Sequence, residues 1–193
     1  MMWLTDIIVF PDYKFTTKDG IIALGGDLSE ERLIYAYKNG IFPWFSEGDP
    51  IVWYCPHERM VLFPNEIKVS KSMQKIIHKN KFVITENKAF KEVIYNCKNI
   101  DRGDGFGTWI TDDMEKAYIK LHQKGVAKSI EIWLNDELVG GLYGIEVNTI
   151  FCGESMFSKV SNASKLAFIH LVRNKNYTLI DCQIYNKHLE SLG

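Results

Sequence analysis

The sequence predicts an α+β fold, with a small N-terminal α+β domain over residues 1–60 and a mixed-sheet domain over residues 61–193. From about residue 66 the apolar patterns run helix, strand, helix, helix, β-hairpin, strand, helix, strand. Antiparallel strands followed by a crossover helix imply a mixed sheet whose last strand lies parallel to its neighbour. The composition changes near residues 56–66, where we expect the domain boundary.

The first domain is expected to contain one clear helix. Residues 5–26 are punctuated by proline and glycine, so we expect them to be irregular. Ser29 is a suitable N-cap for a helix over residues 30–39, which has acids in its first turn and a glycine just beyond its end. The aromatic segment Gly40-Ile-Phe-Pro-Trp-Phe45 is predicted to be a loop. Such aromatic density usually packs between layers; the alternative is the wall of a binding cleft, with Trp44 as its main residue.

The remaining elements follow from hydrophobic periodicity and turn residues. Helical spacing of apolar residues predicts four further helices, which span residues 70–80, 87–97, 112–124 and 161–174. Runs rich in β-branched and aromatic residues predict seven strands, at residues 51–55, 60–63, 82–85, 129–134, 137–147, 151–157 and 178–184. Asn135-Asp136 is expected to form the hairpin turn, and the polar, Gly-rich residues 101–107 a loop.

The net charge of −1 is unevenly distributed along the chain. Residues 66–98 contain eight Lys and three Glu, whereas the segments on either side are net acidic. In the predicted helix over residues 70–80, Lys71, Lys75 and Lys79 are spaced at i, i+4 and i+8, so they form one stripe. This basic stripe indicates a polyanionic partner, although charge alone is equally compatible with a pair of solvated Lys-rich helices.

Two predicted strands carry polar residues among apolar neighbours. Glu154 lies in Phe151-Cys-Gly-Glu-Ser-Met-Phe157, where the glycine indicates a bulge or a close backbone approach. A carboxylate in such a strand must be paired, hydrogen-bonded or functional, because burying a lone charge is costly. In Leu179-Ile-Asp-Cys-Gln-Ile184, the alternation of a strand puts Asp181 and Gln183 on the same face. We predict that these strands build one polar site inside an apolar cleft.

The helix predicted between these two strands gives the local arrangement of N-acyltransferases of the GNAT type, in which two parallel strands splay and the acyl donor lies in the gap. A CoA donor needs backbone N–H groups at the start of the crossover helix, and a Gly-rich turn usually supplies them. The matching segment, Ser158-Lys-Val-Ser-Asn-Ala-Ser-Lys165, contains no glycine. Either the phosphate-bearing donor binds differently or the donor is not CoA, and a nucleic acid held by the basic stripe is the alternative.

The bulk composition is that of an ordinary globular protein, with 46% hydrophobic and 24% charged residues. The longest apolar runs are far shorter than the ~20 residues of a membrane span, and the start of the chain lacks the features of a secretory signal. The cysteines have no metal-ligand spacing, so we expect structural free thiols in a reducing cytoplasm, with disulfides or a catalytic thiol as alternatives. No metal and no cofactor are expected.

Nine segments, in order and spread over nearly the whole chain, match the pattern of a known family. They are Gly25-Gly-Asp-Leu-Ser29, Gly40-Ile-Phe-Pro-Trp-Phe-Ser46, Val61-Leu-Phe-Pro64, Thr108-Trp-Ile-Thr111, Leu138-Val-Gly-Gly-Leu-Tyr-Gly144, Gly153-Glu-Ser-Met-Phe-Ser158, Ala163-Ser-Lys165, Leu179-Ile-Asp-Cys-Gln183 and Ser191-Leu-Gly193. In these segments the chain resembles the leucyl/phenylalanyl-tRNA–protein transferases. Because members of that family usually continue beyond the last segment, we expect either a short member or part of a longer protein.

The resemblance implies a fold, a reaction and its partners. The fold is a small N-terminal domain followed by a GNAT-like domain. The reaction is the transfer of Leu or Phe, sometimes Met, from Leu-tRNA or Phe-tRNA to the α-amine of proteins that begin with Arg or Lys. The product is an N-degron for protein degradation. We expect a cytoplasmic monomer that does not bind membranes, with Lys71, Lys75 and Lys79 contacting the tRNA.

The resemblance also assigns catalytic roles to Glu154, Asp181 and Gln183. An amide is a very poor base, so we expect Gln183 to orient the attacking amine through its carbonyl oxygen. Asp181 then either holds Gln183 in register or accepts the proton indirectly. Glu154 either attracts the cationic acceptor or acts as the base. A satisfied buried hydrogen-bond network remains the alternative for both acids.

The donor pocket is expected to be apolar, and the family resemblance points to its walls. They are Leu142, Phe151, Gly153, Met156, Phe168, Leu171 and Ile180. Ordinary core packing is the alternative for each, and Ile180 and Asp181 point to opposite faces of a regular strand. The wider cleft is expected to include Trp44, Trp109 and Ser155. Two other functions stay open: a CoA-dependent N-acyltransferase, and a tRNA-binding module without catalysis.

Overall fold

The computed structural model describes residues 2–100, 109–185 and 187–192, and contains two β-sheets with helices packed around the larger one. The loop predicted at residues 101–107 lies outside the described residues. Within those ranges, no helix is long and apolar enough to cross a membrane. The α+β class predicted from the sequence is confirmed.

The smaller sheet has four short strands in the order β1-β2-β4-β3. The strands are β1 (Met2–Leu4), β2 (Ile21–Gly25), β3 (Phe42–Pro43) and β4 (Val52–Tyr54). Strands β1 and β2 are parallel, and the other pairs are antiparallel. Helix α1 (Glu30–Lys38) follows β2, and its N-cap Ser29 accepts a hydrogen bond from the Arg32 N–H, as predicted.

The prediction that residues 5–26 are irregular is wrong for β2. Ile22 and Ala23 are buried in the core, and the glycines that suggest loops stand at the ends of the strand. Short strand β3 likewise lies inside the aromatic segment predicted to be a loop. Both strands owe their structure to pairing with β4, which local residue patterns do not show.

The larger sheet has six strands in the order β5-β10-β9-β8-β7-β6. The strands are β5 (Val61–Leu62), β6 (Val83–Glu86), β7 (Ala127–Leu134), β8 (Glu137–Val147), β9 (Ile150–Ser158) and β10 (Leu179–Asp181). Strands β9 and β10 are parallel, and all other neighbours are antiparallel. Helix α5 (Ala163–Asn174) connects β9 to β10, so the predicted crossover and parallel pair are confirmed.

Helices cover both faces of the larger sheet. They are α2 (Lys71–His78), α3 (Phe90–Asn99), α4 (Asp112–Gln123), α5, and the short α6 (Lys187–Glu190). Helices α3 and α4 pack on one face, in a hydrophobic core that also contains Leu33 and Trp53 of the N-terminal segment. Helices α2 and α5 contribute to a second core on the other face. Because one core is shared across residue 60, the division into two domains stays a prediction.

A β-bulge in β9 sets the direction of the side chains around Glu154. Tyr143 pairs with Ser155 and Gly144 with Gly153, which leaves Glu154 as the extra residue. A Cβ atom on Gly144 would lie 2.3 Å from the carbonyl oxygen of Cys152, so only glycine fits opposite the bulge. The extra residue shifts the alternation of the strand by one. Each side chain after Glu154 therefore faces the side of the sheet opposite to the one it would face in an unbroken strand.

Candidate active site

A cleft of about 530 Å³ is lined by residues from both sheets. The smaller sheet contributes Phe42, Pro43 and the adjoining Trp44, and the larger sheet contributes residues of β8, β9 and the end of β10. Six of the seven residues expected to form the donor pocket line this cleft: Leu142, Phe151, Gly153, Met156, Phe168 and Ile180. The three expected cleft residues, Trp44, Trp109 and Ser155, line it as well.

Two of the residues predicted to be catalytic or to form the donor pocket lie outside the cleft wall. Leu171 is buried in the core on the α5 side and lines a separate cavity of about 50 Å³. It belongs to the face of α5 that packs against the sheet, so its apolar character serves the core. Asp181 does not line the cleft either, and its carboxylate accepts hydrogen bonds from Arg59 and from the Gln183 backbone N–H.

Glu154 holds a buried carboxylate, 9% exposed, at the cleft. Its Oε1 accepts a hydrogen bond from Gln183 Nε2 at 2.7 Å, and its Oε2 accepts one from the Tyr118 hydroxyl at 3.1 Å. The Tyr118 hydroxyl is in turn hydrogen-bonded to the hydroxyl of Tyr37. Glu154 is therefore the third member of a chain of four polar side chains, Tyr37, Tyr118, Glu154 and Gln183, and no cation among the described residues pairs with its carboxylate.

Burial raises the pKa of Glu154 to about 7, and the charge of Asp181 adds to that shift. The hydroxyl groups of Tyr37 and Tyr118 and the side-chain amide of Gln183 act in the opposite direction without cancelling that rise. Burial also raises the pKa values of Tyr37 and Tyr118 well above their ordinary value, so both hydroxyls stay protonated and can donate. Glu154 is thus a carboxyl group that can bind or release a proton near neutral pH.

Gln183 reaches Glu154 from a turn, and the prediction that it shares a strand face with Asp181 is wrong. Strand β10 ends at Asp181, and Gln183 has a left-handed backbone with φ 64°. The Asp181 side chain accepts the Gln183 N–H at 2.9 Å, which is a side-chain-to-backbone bond two residues apart that closes such turns. Because only the NH₂ of an amide can donate to a carboxylate, the carbonyl oxygen of Gln183 is directed away from Glu154.

Arg59 is a site residue that the sequence did not reveal. Its Nε donates to Asp181 Oδ1 at 3.2 Å, and a second nitrogen bonds to Asp181 Oδ2, so the pair is two-pronged. Arg59 also donates to the Gly40 carbonyl at 2.9 Å and lies over the ring of Phe42 at 5.0 Å. It therefore connects the smaller sheet to the turn that carries Gln183. Only the pairing of β5 with β10, which no local pattern shows, brings it there.

Tyr118 is also absent from the sequence prediction, although a signal existed. It lies on the buried face of α4 together with Met114 and Leu121, where apolar residues are usual. A buried tyrosine hydroxyl normally has a hydrogen-bond partner, so a tyrosine at such a position indicates a polar group across the core.

The basic stripe is exposed and lies away from the cleft wall. Lys71 and Lys75 belong to α2, and Lys79 is its C-cap residue. All three are solvent-exposed, and none of them lines the cleft. The stripe is thus available for a partner that extends beyond the cleft.

The described residues show no preformed metal site, since no three His, Cys, Asp or Glu among them are grouped suitably for an ion. The four cysteines are free thiols, as expected: Cys55, Cys97, Cys152 and Cys182. Cys182 lines the cleft, and burial raises its pKa to about 12, so it is a protonated thiol and a poor nucleophile at neutral pH.

Both parts of the chain match one protein family. Residues 61–193 match the family described as leucyl/phenylalanyl-tRNA protein transferase. Residues 26–57 match the N-terminal domain of the same family. The two matches together include Tyr37, Tyr118, Glu154, Asp181 and Gln183, whereas Arg59 lies between the matched ranges.

Two curated relatives are similar over the whole chain. The leucyl/phenylalanyl-tRNA–protein transferase of Flavobacterium psychrophilum is 57% identical, over 100% of this chain and 93% of the relative. The protein of the same name from Flavobacterium johnsoniae is 56% identical, over 100% of this chain and 92% of the relative. Among solved structures, a functionally unknown conserved protein from Staphylococcus epidermidis is 10% identical, with a TM-score of 0.47 over 88% of this chain and 64% of that one. A likeness at that level carries no argument.

Proposed function

The chain belongs to the leucyl/phenylalanyl-tRNA protein transferase family and is an aminoacyltransferase, and on that premise we propose that it moves Leu or Phe from tRNA to proteins that begin with Arg or Lys. Met is a further donor residue in this proposal. The product carries a new N-terminal residue that marks the protein for degradation. With charged tRNA as donor, the reaction takes place in the cytoplasm. The observation that carries the proposal is the Glu154–Gln183 pair at one side of an apolar cleft.

The donor side chain occupies the apolar part of the cleft. Phe151, Phe168 and Ile180 belong to the core on the α5 side of the sheet, and Met156 packs against it. An unbranched thioether adapts its shape, which suits a pocket that takes both Leu and Phe. A β-branched side chain such as Val or Ile widens at Cβ, so we expect it to fit this pocket less well than Leu or Phe. Discrimination of this kind is worth about 10- to 200-fold.

The acceptor amine binds beside Glu154, whose carboxylate lies on the α4 side of the sheet with Tyr118. The donor and the acceptor therefore approach from opposite faces and meet where β9 and β10 separate. Two oxygens of a carboxylate offer about four acceptor positions, and Gln183 and Tyr118 use two of them. A cationic α-ammonium group fits the remaining positions.

Starting from the ammonium form of the acceptor, transfer removes two protons from the nitrogen and delivers one to the ribose oxygen. An α-amino group has a pKa near ~8, so Glu154, whose pKa is about 7, takes its proton at little cost. The side-chain carbonyl oxygen of Gln183 then accepts a hydrogen bond from a second N–H of the neutral amine and so orients it. The amine nitrogen bonds to the ester carbonyl carbon, the carbon–oxygen bond to the tRNA breaks, and the ribose oxygen receives the first proton from Glu154. The nitrogen then loses its second proton to the Glu154 carboxylate, which releases it to water. Glu154 ends the cycle as a carboxylate.

The tRNA body extends from the cleft to the basic stripe formed by Lys71, Lys75 and Lys79. Phosphate contacts from such lysines position a nucleic acid without reading its sequence. Trp44 is 41% exposed at the cleft and stands 5.6 Å from the ring of Tyr54. An exposed indole at this place offers a stacking surface to a base at the tRNA end.

A transfer assay with several donors and acceptors tests the proposal. Labelled Leu-tRNA, Phe-tRNA, Val-tRNA and leucyl-CoA are each mixed with peptides that begin with Arg, Lys or Ala, and with an N-acetylated Arg peptide. We expect label from Leu-tRNA and Phe-tRNA in the Arg and Lys peptides only. Transfer from leucyl-CoA instead would favour a CoA-dependent N-acyltransferase. Equal transfer to the Ala peptide would overturn the acceptor assignment.

A further inference from the structure

Strand β9 has an open edge inside the cleft. It pairs with β8 along its full length, but with β10 only over Ile150, Phe151 and Cys152. On that side, no other strand in the described part of the chain pairs with residues 153–158. All six of these residues line the cleft. An exposed strand edge is a ready template for pairing with another extended chain.

The edge is open because the chain turns away from β9 after Asp181. The Cys182 N–H donates to the backbone carbonyl of Met60 at 2.9 Å, and the Met60 N–H donates to the backbone carbonyl of Gln183 at 3.1 Å. After β10, residues 182–183 thus stay paired with Met60, the residue before β5. This path leaves a gap next to β9. These two backbone hydrogen bonds direct residues 182–183 away from β9 and so create the gap.

Hydrogen bonding to β8 shows which backbone groups face the gap. The Lys159 N–H donates to the Val139 carbonyl at 2.7 Å, so Lys159 turns its backbone toward β8. Backbone groups of successive residues in an antiparallel pair alternate between the two sides. The N–H and C=O groups of Met156 and Ser158 therefore point away from β8 and toward the gap.

We propose that the first residues of the acceptor protein add to this edge of β9 as a short β-strand. This inference rests on the proposed function and deepens it. Strand addition uses the main chain of the partner, so it accepts any sequence after the first residue. An enzyme that selects proteins by one N-terminal residue needs a binding mode of this kind.

The position and the charge of the edge favour the acceptor over the donor tRNA. The edge begins at Glu154, where the acceptor amine binds in the proposed reaction, and runs to Ser158 without a basic residue. A phosphodiester backbone has neither the alternating N–H and C=O groups of a strand nor a cationic partner here. The donor side chain occupies the apolar pocket below the sheet and leaves the edge free.

The length of the edge sets how much of the acceptor it can bind. Four residue steps separate Glu154 from Ser158, which at ~3.3 Å per residue is about 13 Å. An extended acceptor whose first residue lies at Glu154 reaches Met156 with about its third residue and Ser158 with about its fifth. Residues beyond the fifth lie outside the cleft.

The test modifies the peptide and leaves the enzyme intact, so misfolding does not arise. Arg-starting peptides of two to eight residues are compared first, and kcat/KM is expected to rise up to about five residues and then level off. Single amide-to-ester replacements then remove the N–H of residue 3, 4 or 5 in turn. Because an added strand turns every second residue toward β9, losses should alternate along the peptide. A lost hydrogen bond at a sensitive position should lower kcat/KM by about 2- to 10-fold, since one net bond is worth that much.

The remaining outcomes are distinct. Equal sensitivity at all three positions, or at none, with normal transfer to the unmodified peptide would overturn strand addition and leave the proposed function in place. An absence of transfer to every Arg peptide, whatever its length, would instead overturn the proposed function.

Discussion

At the scale of single residues, the unusual feature is a carboxylate in an apolar strand. Glu154 is the extra residue of a β-bulge, and the bulge directs it to Tyr118 on the α4 side. Bulges commonly re-aim one side chain next to a functional site. Phe151 and Met156 both belong to the core on the α5 side, although an odd number of residue steps separates them, and the extra residue of the bulge makes this possible.

The raised pKa of Glu154 makes stability depend on pH. Its pKa rises from the ordinary 4.5 to about 7 on folding, so its contribution is fully present below pH 4.5 and is lost as pH rises through 7. Glu154→Gln cannot ionise and escapes this loss. The free energy of unfolding of the variant minus that of the wild type should therefore increase from pH 5 to pH 8, by up to about 3 kcal/mol. Urea denaturation at both pH values measures the gain. Glu137→Gln, at an exposed position, is the control, and an equal gain in it would contradict the burial argument.

Gln183 offers a second residue-scale prediction. Its left-handed backbone is one that glycine adopts without cost, so Gln183→Gly removes the amide and relieves strain. We expect kcat to fall about 100-fold because the amine loses its orientation, while the KM for Leu-tRNA stays within about twofold. Gln183→Asn keeps a side-chain amide, and asparagine tolerates the left-handed backbone. Its free energy of unfolding should therefore change little, whereas its transfer rate should fall because the shorter side chain misplaces the amide. Single-turnover kinetics with an Arg peptide would show near-normal rates in Gln183→Gly if the amide were only structural.

At the scale of elements, local signals predicted the helices and the hairpin well. N-caps, the Asn135-Asp136 turn and hydrophobic periodicity act within a few residues, and the structure places strand β8 at residues 137–147 as predicted. The failures involve partners far apart in sequence. Strand β2 forms through β1 and β4, and Arg59 meets Asp181 across 122 residues. The positive φ of Gln183 also has no local signal, since glutamine rarely adopts it.

The Arg59–Asp181 pair should couple the two sheets energetically. Arg59→Gln leaves a nearly buried carboxylate without its cation and should cost about 2 kcal/mol or more. Asp181→Asn in the same chain removes that unpaired charge, so the double variant should lose less than the sum of the two single losses. Denaturant midpoints of the four proteins give the coupling energy. Purely additive losses would show that the pair does not connect the elements.

Arg59→Lys tests whether the geometry of the pair matters as well as its charge. Lysine is a point charge and cannot span both Asp181 oxygens and the Gly40 carbonyl together. We expect Arg59→Lys and Arg59→Gln both to transfer Leu more slowly than the wild type and at similar rates, because neither side chain holds the turn that carries Gln183, although lysine conserves the charge. Wild-type rates would mean that charge alone is sufficient.

Helix α2 carries the prediction for tRNA binding. Lys75→Ala removes one phosphate contact, so it should weaken tRNA binding and reduce the slope of log K against log salt by about one. Lys120→Ala, an exposed lysine of α4 on the opposite face of the larger sheet, is the control and should keep the slope. Filter-binding or fluorescence titrations at several salt concentrations measure both. An unchanged slope in Lys75→Ala would identify the stripe as a solvated helix face.

At the scale of the whole molecule, the candidate site exists only where the two sheets meet. The cleft takes Phe42 and Trp44 from one sheet and Glu154 from the other. A shared hydrophobic core and Arg59 hold these parts together. The composition break at residues 56–66 predicts two segments, but it does not indicate that the site lies between them.

The central claim is that Glu154 handles the proton of the acceptor amine, and the pH dependence of kcat/KM tests it most directly. Leu transfer from Leu-tRNA to an Arg peptide is measured from pH 5.5 to 9 for the wild type and Glu154→Gln. The wild type should give a bell-shaped profile that rises near 7 as Glu154 ionises and falls above ~8 as the free acceptor loses the proton that Glu154 takes. Glu154→Gln should be about 100-fold slower and should only rise near ~8, because without a base it needs the neutral amine. Matching rates and matching profiles in the two proteins would contradict the claim.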